Sequence, residues 1–192
     1  MSERSEAEAA AGATLARDPI ARPERRSKGL AGAAALVALL VLVDQIVKQV
    51  VERAMALGEL IPVVGPLYWL HARNKGIAFS WLSGVGAWGL VGLSSLVLAL
   101  MVFLFTRTPR AHRLARLGFI LVIGGAIGNL IDRAMLGYVT DYVFLSWRGW
   151  SFAVFNLADA FITVGAIAVL ADELLGWGRR SDRPPGSRDA AG

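Results

Sequence analysis

"FNLADAFITVGAIAVLA", residues 155–171, is an apolar run that reads as a membrane helix with a carboxylate one turn inside its start. On such a helix Asn156 and Asp159, three residues apart, lie on one face. An ionised aspartate in hydrocarbon is expensive, about 2.5–3.5 kcal/mol on insertion scales. A helix that keeps one needs a reason.

The rest of the chain repeats the apolar pattern. Its 192 residues are 55% hydrophobic with a mean hydropathy of +0.53, too apolar for an ordinary soluble domain. Four segments carry the excess: 30–43 extended by the partly polar "DQIVKQVV", then 86–106, 117–131 and 155–175. Each reaches the roughly 20 residues that cross a bilayer, provided polar groups are tolerated at its end. The pattern predicts an all-α membrane protein of four transmembrane helices, one domain over residues 29–177, with tails at 1–28 and 178–192. The first tail, rich in Ala, Glu and Arg, reads as disordered. The first helix has a basic flank and "AMA" at 54–56, as a signal peptide would, but "DQIVKQVVER" is too long and too charged for a cleavage region. We read the helix as retained.

Net charge is +5 and the pI about 10.2. The basic residues cluster in "RPERRSK" before the first helix, "RTPRAHRLAR" between the second and third, and "GRRSDRPPGSR" after the fourth. This is the positive-inside pattern, which puts both termini and the middle loop in the cytoplasm. No basic stripe interleaved with aromatics suggests nucleic acid as a partner. There is no cysteine, so a disulfide framework, a thiol nucleophile and a Cys-ligated metal are excluded. His71 and His112 fall on opposite sides of the membrane in this topology. No metal and no cofactor are expected.

Between the first two helices, "GELIPVVGPLYWLHARNKGIAFSWLSG" (58–84) is rich in branched and aromatic residues broken by Gly-Pro and Asn-Lys-Gly. It predicts a small antiparallel extracytoplasmic sheet, turning near Gly65-Pro66 and Lys75-Gly76. "YVTDYVFLSWRGWSFAVF" (138–155) reads as a second extended loop with a hairpin turn at Arg148-Gly149.

Polar residues then converge at one depth, near the outer leaflet. Asp44 and Lys48 are four apart on the first helix and read as an intrahelical ion pair. Asn129, Asp132 and Arg133 share offsets of three and four on the third, where Asp132 and Arg133 could form a clasp at the helix end. Gly124 and Gly128 have the small-xxx-small spacing of close helix packing. Ser94 and Ser95 lack a plausible histidine base, and helical serines usually bond their own backbone. Asp141 and Asp159 differ from the other acids, because neither has a local cation and the excursion between them can fold back. Two adjacent carboxylates cannot readily both ionise, so they share a proton. One can deprotonate water while the other donates to a carbonyl oxygen. A proton relay in a transporter would look much the same, and a non-catalytic membrane scaffold is a third reading.

Five motifs resemble one family. "DQIVK" (44–48), "NKGIAFS" (74–80), "GGAIGNLIDR" (124–133), "VTDYV" (139–143) and "FNLADAFI" (155–162) occur in the order found in the lipoprotein signal peptidases, also called signal peptidase II or prolipoprotein signal peptidases. The likeness covers roughly residues 30–175. Two departures are small: Lys75 stands at a variable position, and Tyr142 where Phe is commoner. The resemblance implies a globomycin-sensitive intramembrane aspartyl protease of the bacterial inner membrane, with four helices and a β cradle on the outer face. It implies cleavage of diacylglyceryl-modified prolipoproteins before the lipidated cysteine. It implies Asp141 and Asp159 as the catalytic dyad, with Asp44, Lys48, Asn74, Gly76, Asn129, Asp132, Arg133 and Asn156 binding substrate or supporting the site. Membrane lipid and the prolipoprotein are the expected partners of a monomer.

Overall fold

The computed structural model describes residues 21–76 and 86–181; residues 1–20 of the expected tail 1–28, residues 182–192 of the expected tail 178–192, and all of "IAFSWLSG" lie outside the described residues. The elements in order are α1 (Ala21–Ala54), β1 (Leu60–Val64), β2 (Leu67–Asn74), α2 (Gly86–Arg107), α3 (Arg113–Leu136), β3 (Val139–Trp147), β4 (Trp150–Ser151) and α4 (Leu157–Ser181). Helix α1 thus begins at Ala21, ahead of the boundary at 29. The chain divides between Ala35 and Leu36, and every residue of the site lies in the second unit.

Among the described residues three helical segments are long and apolar enough to cross a membrane: Gly29–Ala54, Trp88–Arg107 and Arg113–Leu136. Helix α4 is 25 residues long and carries Asp159 in its first turn. The packing is inverted relative to a water-soluble bundle. Leu39, Leu42, Ile46, Leu96, Leu100, Phe103, Ile167 and Leu170 are exposed, while Asp44, Lys48, Asn129, Asp132 and Asn156 are buried. Lipid tails accept the outward apolar side chains, and charged groups in membrane segments face the interior and pair there.

Helix α3 sits between α1 and α4 because its glycines permit close approach on two sides. Toward α4, a Cβ on Gly118 would lie 2.6 Å from the Gly165 carbonyl oxygen, and one on Gly165 would lie 2.5 Å from that of Gly118. A Cβ on Gly125 would collide with the Ala158 carbonyl. Toward α1, Gly124 meets Leu40 and Gly128 meets the Asp44 carboxylate. Small residues that let backbones nearly touch are the usual means of membrane helix packing. Gly124 and Gly128, singled out by spacing, therefore form one of two such contacts.

The sheet is larger than the sequence predicts. It is not confined to the α1–α2 connection; β3 and β4, from the α3–α4 connection, extend it in the order β1-β2-β3-β4, all antiparallel. The physical reason is the second edge of β2, whose N–H and C=O groups need partners once β1 has taken the first. The expected turns are present: Gly65 has φ +54, and Arg148 (φ 47) with Gly149 (φ 86) closes the β3–β4 hairpin in two left-handed residues, the geometry that matches strand twist. A register shift between Trp69 and Ala72 brings Asp141 opposite Ala72 and Val139 opposite Asn74. Asn74 is thereby diagonal to Asp141.

Candidate active site

The start of α4 is a reciprocal cap. The Asn156 backbone N–H donates to Asp159 Oδ2 (3.2 Å), and the Asp159 N–H donates to Asn156 Oδ1 (3.0 Å). This has the logic of a capping box, in which two orphan donors are satisfied by each other's side chains. The two N–H groups between them go elsewhere: Leu157 donates to the Tyr142 hydroxyl (3.1 Å) and Ala158 to Asp44 Oδ1 (3.0 Å). Three elements, α1, β3 and α4, are tied together at one helix terminus, whose positive end favours nearby carboxylates.

Two asparagines connect Asp141 with Asp159. Asn156 Nδ2 donates to Asp141 Oδ1 (2.7 Å) and to Asn129 Oδ1 (3.1 Å). Asn129 Nδ2 donates to Asp159 Oδ1 (2.7 Å). The other Asp141 oxygen accepts from Asn74 Nδ2 (3.0 Å). Asn74 Oδ1 in turn accepts the Gly76 N–H (2.8 Å), in a turn where Gly76 has φ +77, a conformation costly for other residues. Burial is the largest influence on Asp141, pushing its carboxyl up to about 6; the amide of Asn74 opposes this and the nearby Asp159 carboxylate adds to it. Asp141 is buried and Asp159 half-buried, so the pair has one shielded and one more accessible member.

Behind the asparagines lies a charged layer. Lys48 Nζ is 2.8 Å from Asp44, 3.0 Å from Asp132 and 2.9 Å from Asn129 Oδ1, and all three carboxylate and ammonium side chains are at most 4% exposed. Asp132 also accepts from Gln45 Nε2 (2.9 Å) and the Thr140 N–H (3.2 Å). The ion pair of Asp44 with Lys48 is present, but it is one arm of a triad. The clasp between Asp132 and Arg133 is not formed. Successive helix residues point about 100° apart, so Asp132 turns to Lys48 while Arg133 turns outward, with its guanidinium 3.5 Å from the Asn129 carbonyl oxygen.

Of the residues singled out, Asp44, Lys48, Asn74, Asn129, Asp132, Asn156, Asp141 and Asp159 meet in one network; Gly76 shapes its edge and Arg133 borders it. Sequence reasoning missed Gln45, Thr140 and Tyr142. All three lie inside quoted motifs, "DQIVK" and "VTDYV", where the flanking charges drew the attention. The Tyr142 hydroxyl is driven up to about 12 by burial, so it serves as a neutral acceptor.

The fold, with its long apolar helices and buried charges, is that of a membrane protein. The chain is similar to a bacterial membrane enzyme solved by the in meso method, with TM-score 0.68 and 27% identity over 75% of this chain and 93% of the other. A second bacterial membrane enzyme, at TM-score 0.66 and 23% identity over 81% of this chain and 95% of that one, shares the fold. A family model described as signal peptidase (SPase) II matches residues 36–175. A lipoprotein signal peptidase of Mesorhizobium japonicum is 50% identical over 76% of this chain and 87% of its own length, and one of Sinorhizobium fredii is 49% identical over 72% and 86%. The chain belongs to the signal peptidase II family and is a peptidase.

Proposed function

We propose that this peptidase is an aspartyl endopeptidase that removes the signal peptide from diacylglyceryl-modified prolipoproteins, cutting before the lipidated cysteine. The observation that carries the reading is the amide bridge: Asp141 and Asp159 share hydrogen bonds through Asn156 and Asn129. The ionised member of the pair takes a proton from water as the oxygen attacks the scissile carbonyl. The protonated member donates to the developing gem-diol oxygen and takes that proton back as the carbonyl re-forms, while the proton drawn from water passes to the leaving amine as the C–N bond breaks. Asn129 and Asn156 hold the two carboxylates at fixed separation, and Lys48, itself held by Asp44 and Asp132, fixes Asn129. No metal or cofactor takes part.

The same reading gives α4 the role of a fourth membrane span, within a domain over residues 29–177 flanked by cytoplasmic tails. Its apolar stretch between Asp159 and Asp172, together with the exposed Val164, Ile167 and Leu170, supports this. Both termini are cytoplasmic in the inner membrane, and the dyad lies near the outer leaflet, where a monomer meets its lipidated substrate. The test is purified protein with a diacylglyceryl prolipoprotein, an unlipidated control, a chelator and globomycin. Cleavage of the lipidated substrate alone, blocked by globomycin and indifferent to chelator, is expected. Equal cleavage of the unlipidated form, or loss of activity to the chelator, overturns the reading.

A further inference from the structure

Beside the dyad lies a small, partly open cleft lined by Asn74, Lys75, Leu90, Arg133 and Gly137. It lies where β2 ends, where α3 gives way to β3, and near the start of α2. Its lining is electrically one-sided. Neither Lys75 nor Arg133 has an acidic partner among the described residues, and Arg133 makes only the long bond to the Asn129 carbonyl. Asn74 cannot offset them, since its oxygen accepts the Gly76 N–H and its nitrogen serves Asp141. The neighbouring acids are engaged elsewhere: Asp132 by Lys48, Gln45 and Thr140, and Asp141 by Asn74 and Asn156. Two cations facing one cleft repel each other, and an anion between them would relieve that repulsion.

We infer that Lys75 and Arg133 form a subsite for a carboxylate side chain of the peptide substrate, and that Lys75 sets a preference for acidic over basic residues near the cleaved bond. The inference rests on the function proposed above. Position argues for the peptide as the source of the anion. Lys75 follows Asn74 directly, about 3.8 Å away at Cα, and Asn74 holds Asp141. A peptide bond presented to Asp141 therefore carries its flanking side chains past the cleft. The diacylglyceryl group offers no charge to fill it.

The experiment uses the full chain with diacylglyceryl prolipoproteins carrying Asp, Asn or Lys at one position at a time on either side of the bond, the lipidated cysteine itself being kept. At one or more positions, kcat/KM for the Asp substrate should exceed that for Lys by about threefold to tenfold, as expected of a partly exposed charge pair. High salt should shrink that ratio. Lys75→Met should level it and Lys75→Glu should invert it, with unchanged melting temperatures because Lys75 is exposed. Ratios equal in wild type, Lys75→Met and Lys75→Glu overturn the subsite. So does a change common to all three substrates, which would assign Lys75 to lipid phosphates instead. Failure of the wild type to cleave any substrate strikes the underlying function and is distinct from both.

Discussion

At the sheet end of the helices, Lys48 is enclosed with Asp44 and Asp132, and each polar atom around it is spoken for by another element. At the opposite end, His112 meets Asp172 at 2.6 Å with side chains 35% and 16% exposed, and Arg116 donates to the Thr108 carbonyl (3.0 Å) while lying over the Phe105 ring. Both ends tie helices together through charge, yet water can stand in for a lost partner only at the second. Where burial forbids that substitution, each group depends on several others, and function can be built on groups held so rigidly. Sensitivity to substitution should therefore differ sharply between the ends.

The largest difference is expected in catalysis. Asp141→Asn and Asp159→Asn should each lower turnover of a lipidated substrate by about 10²–10⁴-fold, the usual worth of general acid–base help. The double variant should be little worse than either single one, because the two act as a unit. Near-normal turnover by either single variant, in protein that still melts cooperatively, would sink the aspartyl mechanism.

Next comes the charged layer. Lys48→Met leaves two buried carboxylates without their cation, and stranding buried charge in this way costs about 3–5 kcal/mol. A large drop in melting temperature in detergent is expected, with activity falling alongside. A melting curve like that of the wild type would mean the triad is wetter than its burial implies, and the contrast between the two ends would collapse.

The titration of Asp141 sharpens the comparison further. Its carboxyl binds a proton up to about pH 6 in the folded protein, against 3.8 ordinarily. Between those values the folded state holds more protons than the unfolded one, so this residue's contribution to stability declines as pH rises through the window and levels off above it. Asp141→Asn removes that slope. The melting temperature of the variant relative to wild type should rise from pH 4 to pH 6 and then stay constant. A difference that does not vary with pH would show that Asp141 titrates like an exposed carboxylate.

Much of this site was legible in the sequence because period and charge suffice to mark it. The offset of Asp44 and Lys48 gave their pairing, and Gly65, Arg148 and Gly149 gave the turns, since those depend only on neighbours in the chain. Asp132 was assigned the wrong partner because its true one, Lys48, lies on another helix, and nothing local distinguishes it from the adjacent Arg133. The union of β2 with β3 was hidden for the same reason: an edge's need for a partner is evident, but not which distant strand supplies it. Tyr142 was overlooked because it acts through a hydroxyl that caps α4, a role with no charge signature.

The smallest effect is expected at His112. Its side chain makes no cap bond to α3, although it occupies the N-cap position, so its contribution there is limited to Asp172. A pair exposed to this degree is worth about 0–1 kcal/mol, because solvent screens it and both side chains lose rotamer freedom to hold it. His112→Ala should thus shift the melting temperature by only a few degrees and leave turnover of the lipidated substrate unchanged. Asp172→Asn should behave alike, and the double variant should lose no more than the larger single effect if the contact is the whole of the contribution. A loss comparable to that of Lys48→Met would mean that this end, too, is sealed from water, and that its half-buried carboxylate and imidazole are held by more than each other.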